Sequence, residues 1–412
     1  MKHLFIGILH REEEASLLAK YSKVSLQIAA NNFQWNFIHG LESNLNQSID
    51  KISTLSMGSF PKGSRKLFVK SKTNYTDKNS FFKYIGYVNF YLLKGFCRTI
   101  LLFFTLNKWI KNNPNGSIHV YSLYTPYLWA LYFTKLIRKR NKIKYCLIIP
   151  DLMGKYGMLN PFYTLSGAWR RIDSYFLYSL SKHADCYVYL TRHMAAPMNI
   201  DNKPFIVIEG LISGSKNNFV NDRLEVVQTE KKIVLYTGSL LNDFGIETLL
   251  KAFVKISNNN YEFWLCGPVN ESKTVLEYSQ LDQRIKYLGF LRKEEIVLIQ
   301  QKATVLVNPR PNIGEYVKYS FPSKTMEYLL SAKPVIMFKL DGIPEEYYDY
   351  IYFFDKYDVD SMAHTITTVC EKSNDELLSF GNKAQKFINK YKNSQIQTEK
   401  VINMLNELII KK

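Results

Sequence analysis

The chain is 412 residues long and carries 54 Lys+Arg against 36 Asp+Glu, a net charge of +18. With 46% hydrophobic and 22% charged residues it excludes disorder as the main state, and its length suits two domains of roughly 200 residues, each with its own core. Five scattered cysteines without a C-x-x-C spacing exclude a zinc ribbon or a disulfide framework and fit a reducing cytosol.

The opening MKHLFIGILHREEEASLLAKY has too short an apolar run for a secretory signal, and no stretch offers about 20 continuous apolar residues for a membrane span. From there, apolar runs alternate with helical patterns, which predicts parallel α/β architecture. Strands are predicted over 3–9, 117–122, 144–149, 186–190 and 205–209, with helices over 126–138 and 169–182. Residues 10–80 show no pattern clear enough to assign. After the Ser/Gly/Asn-rich stretch at 213–218 the pattern restarts. Strands are predicted at 232–237, 261–266, 285–288, 304–307, 334–338 and 352–354. Helices are predicted at 246–256, 293–301 and 322–331. The last segment, 395–410, places Val401, Leu405, Leu408 and Ile409 on one helix face. The expected organisation is two Rossmann-like domains, 1–213 and 214–394, facing a central cleft, plus a terminal helix at 395–412 that crosses back onto the first domain. Ligands in such sheets sit beyond the carboxyl ends of the strands.

The excess charge is confined to the first half. Residues 1–213 hold 28 basic and 11 acidic residues, whereas 214–412 hold 26 and 25. Between Asp77 and Asp151 there are 12 basic residues and no acid, interleaved with aromatics. Three readings compete: a solvated basic face, a nucleic-acid surface, and an anionic bilayer surface. No zinc-finger spacing, RNP-like motif or GXXG loop supports nucleic acid. The segment FFKYIGYVNFYLLKGFCRTILLFFTLNKWIKNN, broken by Lys83, Lys94, Arg98 and Lys108, is too interrupted to span and suits the bilayer interface through region 78–150.

The chemistry concentrates in NPRPNIGEYVKYSFPSKTMEYLLSAKPVIMFKLDGIPEEYY, residues 308–348. Pro322 suits the first turn of a helix, whose free N–H groups and dipole favour an anion at Ser323 and Lys324. Arg310, leaving the preceding strand, adds a bidentate fork. Glu327 stands one turn on, on the same face as Ser323 and Lys324, where a carboxylate suits ribose hydroxyls. The constellation fits a nucleoside diphosphate, and equally a helix with an exposed Lys–Glu pair.

A strand ending in NPR, then YSFPSKTMEYLLSAKPVI and DGIPEEY, resembles the donor-binding half of the GT-B retaining glycosyltransferases of family 4. The branch it is most similar to makes bacterial capsule, O-antigen and exopolysaccharide. VLYTGSLLNDFGIETLLKAF resembles the opening of that half, and IIPDL and CYVYLTRHMA resemble parts of the first. The resemblance implies a nucleotide-sugar donor held mainly by the C-terminal half, an acceptor on the N-terminal half, and transfer with retained configuration. It implies no cofactor and no metal, because a helix N-terminus and basic side chains stabilise the leaving diphosphate. No metal-ligand cluster and no Asp-x-Asp is read in the sequence.

Carried over residue by residue, Glu327 is the ribose ligand. The family's first glutamate falls at Tyr319, and Glu315, four residues earlier, is its candidate substitute. The family's Gly-Arg and Lys-Gly pairs read Gly238-Ser239 and Phe244-Gly245, so Arg310 and Lys324 take the diphosphate. Gly238, Ser239, Gly267 and Ser323 complete the donor set. Asp151 ends a first-half strand and is a candidate for contact with sugar or acceptor. His10, His193, Glu345 and Glu346 are acceptor or sugar candidates, with Thr191 as a helix cap before His193. The expectation is a glycosyltransferase on the inner face of the cell membrane with a lipid-linked saccharide acceptor. Its rivals are a sugar-nucleotide epimerase of the same fold, an inactive partner subunit and, more distantly, a nucleic-acid binder.

Overall fold

The computed structural model describes residues 1–24, 26–77, 80–139, 141–153, 165–200, 202–212, 231–268 and 273–410. The chain divides into two compact units, 1–214 with 393–412, and 215–392. The predicted join at 213–218 lies outside the described residues.

Unit 1 runs β1 (His3–Gly7), α1 (Glu12–Tyr21), α2 (Ile28–Leu45), β2 (Asp50–Ser53), β3 (Phe68–Val69), β4 (Lys72–Asp77), β5 (Ser80–Tyr84), β6 (Tyr87–Val88) and α3 (Tyr91–Asn112). It continues with β7 (Ser117–Tyr121), α4 (Thr125–Ile137), β8 (Lys144–Ile149), α5 (Leu165–Ser181), β9 (Cys186–Tyr189), α6 (Ala195–Met198) and β10 (Phe205–Val207). Its eight-stranded sheet has the order β10-β9-β8-β7-β1-β2-β5-β4. All neighbours are parallel except β4, which runs antiparallel on β5. Strands β1, β7, β8 and β9 are buried along their whole length, as expected of parallel strands covered on both faces.

Unit 2 runs β11 (Lys232–Thr237), α7 (Ile246–Lys255), β12 (Tyr261–Cys266), α8 (Lys273–Leu281), β13 (Ile285–Tyr287), α9 (Lys293–Lys302) and β14 (Val305–Asn308). Then come α10 (Ser323–Leu330), β15 (Val335–Met337), β16 (Tyr352–Phe353), α11 (Val359–Cys370) and α12 (Asn374–Tyr391). Its six strands are parallel in the order β13-β12-β11-β14-β15-β16.

The last helix, α13 (Ser394–Ile410), belongs to unit 1 and packs along α2. Val401, Met404 and Leu405 enter one core with Phe37, Ile38 and Leu41 of α2 and with Cys146, Ile148, Cys186 and Val188 of the sheet. Asn44 Nδ2 donates to Gln395 O (2.8 Å) and Thr398 Oγ1 (3.1 Å), pinning the register. Tyr145 and Leu147, which alternate with Cys146 and Ile148, line a small cavity with Leu128 and Leu131 of α4 and Leu180 of α5. Helices α2 and α13 therefore cover one face of the sheet and α4 and α5 the other, with α3 packed beside α4.

The segment 81–113 is not one element. Only 91–112 is helical; Ser80–Tyr84 and Tyr87–Val88 are strands. Arg98 is not an interfacial cation but is 4% exposed. Its Nη2 donates to Thr54 O (2.6 Å) and Leu55 O (2.8 Å), its Nη1 to Tyr124 Oη (2.7 Å), and the guanidinium lies 4.0 Å from the Tyr87 ring centre. Lys94, one turn earlier, also turns inward and donates to Met57 O; burial, then Arg98, pushes its ammonium down to about 8.

Candidate functional site

Unit 2 reverses its strand order between β11 and β14: β12 and β13 lie to one side, β15 and β16 to the other. Open α/β sheets bind ligands at the carboxyl edge of such a switch point. Gly238 follows β11 there, Gly267 follows β12, and Pro309-Arg310 follow β14. The loops at this edge are close-packed through their backbones. Gly238 N donates to Cys266 O (2.9 Å), and a Cβ on Gly267 would stand 2.3 Å from Gly238 O. Gly245 has φ +81°, and a Cβ there would meet Pro309 O at 2.3 Å, so the loop after β11 and the loop after β14 touch only because this residue is glycine. Tyr236 Oη donates to Ser239 O (2.6 Å), fixing the turn at Gly238-Ser239.

Helix α10 is held against this edge by Tyr328, which is fully buried. Its hydroxyl accepts from Thr237 N (2.9 Å) and donates to Thr237 O (3.2 Å) at the last residue of β11. The helix starts one residue later than predicted: Pro322 is the N-cap, with ψ 111°, and Ser323 is the first helical residue. Proline has no side-chain acceptor, no cap bond is made, and the first turn holds no acid. Its N–H groups therefore face the edge without a side-chain partner of their own, which is the electrostatics of an anion site.

Ser323 is exposed, and Lys324 Nζ donates to Glu327 Oε2 (3.1 Å), the two side chains 31% and 53% exposed. A diphosphate would take Lys324, and ribose hydroxyls Glu327, in exchange for this weak pair. Burial pushes the Cys266 thiol at the end of β12 up to about 12, and the charge of Lys324 pulls the other way. Arg310 is tied to the turn between β14 and α10: Nη2 donates to Ser320 Oγ (2.8 Å) and the cation lies 5.3 Å from the Tyr316 ring centre. Glu315 lies in the same 3-10 turn, Glu315–Tyr319, accepts from Tyr319 Oη (3.0 Å) and pairs with Lys318 (3.1 Å). Tyr319 thus holds a carboxylate four residues upstream.

The other candidates separate. Glu345 is exposed, while Glu346 is bound to the buried Lys392 (2.6 Å). His10, Asp151 and His193 belong to unit 1, after β1, β8 and β9, at the carboxyl edge of its sheet. That sheet switches between β1 and β7. His10 is buried, which lowers its imidazole against the pull of Glu14; its backbone N–H donates to Asn31 Oδ1 (3.0 Å) and its backbone carbonyl accepts from Trp35 Nε1 (2.9 Å). Asp151 is exposed and raises the nearby Tyr121 hydroxyl further, after burial has done most of that work. His193 is exposed in a 3-10 turn, and Thr191 makes no side-chain cap there, contrary to the expected role.

Sequence reasoning missed the ties that set these edges. Tyr127 Oη donates to Gly7 O (2.7 Å), and Arg98 clamps the segment after β2, so the carboxyl ends of β1 and of its neighbour β2 are fixed from α4 and α3. The signal available was a cation at i+4 from Lys94 within an apolar helix. One Asp-x-Asp does occur, Asp358-Val359-Asp360, contrary to the reading above. It starts α11: Asp358 accepts from Ser361 N (2.8 Å) as N-cap, and Asp360 pairs with Lys255. Among the described residues no group of three His, Cys, Asp or Glu could hold a metal ion.

Residues 231–372, most of unit 2, match the family described as "Glycosyl transferases group 1". No curated protein matches the chain in sequence. Solved structures match the chain at low identity. Sucrose-phosphate synthase from Thermosynechococcus elongatus is 14% identical with a TM-score of 0.65 and full coverage of both chains. The UDP-forming α,α-trehalose-phosphate synthase from Burkholderia xenovorans, solved with glucose-6-phosphate, is 9% identical, TM-score 0.64, over 98% of this chain and 100% of that one. Anabaena HepE, solved with UDP and glucose, is 13% identical, TM-score 0.55, over 98% and 99%. Two parallel Rossmann-like sheets and the likeness to these structures over nearly the whole chain give the protein the GT-B fold, and its second unit is similar to the group 1 glycosyl transferases.

Proposed function

We propose that the enzyme transfers a sugar, with retained configuration, from a nucleoside-diphosphate sugar to a lipid-linked saccharide in cell-surface polysaccharide synthesis, at the inner face of the cell membrane. The observation that carries the donor half is the N-terminus of α10, free of a side-chain cap, with the Lys324–Glu327 pair at the β11/β14 switch point. In this reading Ser323, Lys324 and Arg310 stabilise the leaving diphosphate, and Glu327 accepts from the ribose. Gly238, Ser239 and Gly267 let backbone approach the nucleotide, and Glu315, held by Tyr319, faces the donor. Asp151, His10 and His193 contact acceptor or sugar from unit 1, and Glu345 is the more available of the two glutamates after β15. The UDP and glucose in the HepE structure favour UDP-sugars as first donors to try. The basic, aromatic character of residues 78–150 supports a lipid-linked acceptor.

The test is transfer by purified protein from UDP-, GDP- and ADP-sugars to lipid-linked saccharides, with the new linkage read by NMR. Retained configuration on a lipid-linked product is expected. An inverted product, or transfer only to free sugars or sugar phosphates, overturns the reading.

A further inference from the structure

We infer that unit 1 docks on an anionic bilayer through the outer surface of α3, α4 and α5, with aromatic and aliphatic side chains entering the headgroup–acyl boundary. The inference rests on the lipid-linked-acceptor reading and specifies the surface that reading needs. The two helical layers of unit 1 serve as each other's control. On α2 and α13 the exposed large apolar side chains, Ile28, Ile396, Ile409 and Ile410, lie at the helix ends. On α3–α5 they lie along the helices and are mostly aromatic or long aliphatic. Phe96 and Phe104 of α3 are 66% and 62% exposed, and Phe133, Ile137, Ile172 and Tyr175 extend the patch over α4 and α5. Exposed apolar side chains of this size, spread along three helices that pack side by side, point to an interaction site rather than a solvated face.

The charges decide what it meets. Lys94 and Arg98 turn inward, so among the described residues the exposed cations on this layer are Lys108 and Lys111 near the end of α3, Lys139 just after α4, Arg171 on α5 and Lys182 just after it. No acidic residue occurs between Asp77 and Asp151, which takes in α3 and α4, and the one described acid on α5, Asp173, accepts from Thr125 Oγ1 of α4, so cations outnumber acids on this face. A symmetric pairing of two copies through this face would bring like charges together, whereas an anionic bilayer complements them. No described helix is long and apolar enough to cross a membrane, so the layer lies on the bilayer and does not span it.

The test is flotation of the full chain with vesicles of phosphatidylglycerol and phosphatidylcholine, and with phosphatidylcholine alone. Wild type floats with the anionic vesicles and less with the neutral ones. The doubles Phe96→Asp/Phe104→Asp and Phe133→Asp/Ile137→Asp bind at least about tenfold more weakly. Lys108→Gln and Lys111→Gln each weaken binding about fivefold, and Ile409→Asp on the opposite layer has no effect. Near-ultraviolet circular dichroism and nucleotide binding, unchanged in every variant, exclude misfolding. If wild type floats and both doubles float equally well, this face is wrong while the membrane reading stands. If wild type floats with no vesicle, both fail. Wild-type dimers that the α3 double converts to monomers, without change in flotation, would assign the face to self-association and overturn the inference.

Discussion

Replacing Tyr328 by Phe removes one oxygen from the joint between α10 and β11. The ring is fully buried and keeps its packing, so the change in apolar burial is close to nil. What remains is the Thr237 N–H, which donates to the hydroxyl at 2.9 Å on a residue that is 1% exposed. Leaving a buried donor unsatisfied costs about 1–3 kcal/mol. For a unit of this size, about 2 kcal/mol lowers the midpoint of thermal unfolding by roughly 4–8 °C. Because Thr237 precedes Gly238 and Tyr328 sits one residue beyond Glu327, the loss falls on the register between the strand end and the helix that meet the donor. Tyr328→Phe therefore lowers both the melting midpoint of unit 2, followed by calorimetry, and nucleotide affinity. A melting midpoint within about 1 °C of wild type would refute the reasoning, because it would mean that this hydrogen bond does not hold α10 in place.

Gly245→Ala forces a Cβ into Pro309 O and a side chain into φ +81°. It is expected to cost about 2 kcal/mol or more in unfolding by urea and to weaken nucleotide binding, while an Ala at Gly289, whose Cβ would meet nothing within 4 Å although φ is +78°, costs less. The stacked pair His3 and His119, joined by a 3.0 Å Nδ1–Nε2 hydrogen bond, gives a pH signature. Burial pushes His3 down to about 4 and His119 well below its ordinary value, so the unfolded chain binds more protons. The stability this neutral pair contributes is complete above about pH 6.5 and falls as pH drops towards 4, by about 3 kcal/mol from His3 alone. Urea unfolding of unit 1 between pH 7 and 4 reads it, and His3→Phe flattens the profile.

The parts of the fold that were legible are those where burial and period coincide. Strands β8, β11 and β12 are near-continuous apolar runs closed by Pro150, Gly238 and Gly267, and their predicted bounds match the structure. Helix α2 was not legible because it buries polar residues. Gln34 is fully buried so that its Oε1 can accept from Ile8 N, and Asn31 is buried to hold His10 N, which breaks the apolar period. Strands β4 and β5 form an edge whose residues alternate weakly, and α12 is mostly polar with few core contacts visible in sequence. At the site, the start of α10 was legible to within one residue from Pro322-Ser323-Lys324. The commitments of individual side chains were not. That Glu346 answers Lys392, that Arg310 leans on Ser320, and that Asp358 caps α11 depend on residues 10 or more apart or on backbone direction.

The central claim is that the edge around α10 holds a nucleoside diphosphate, and calorimetric titration tests it most directly. Wild type, Lys324→Ala and Glu327→Ala would be titrated with UDP, GDP, ADP and CMP. The ion pair between these residues is half-exposed, so either substitution costs at most about 1 kcal/mol of stability. Loss of a charge-assisted bond to phosphate or ribose costs about 1.5–3 kcal/mol of binding, or about 10- to 150-fold in affinity. The account predicts selective binding of one diphosphate by wild type, weakened by that factor in both variants while their melting midpoints hold. Folded wild-type protein that binds none of the nucleotides, or variants that bind as tightly as wild type, would contradict it.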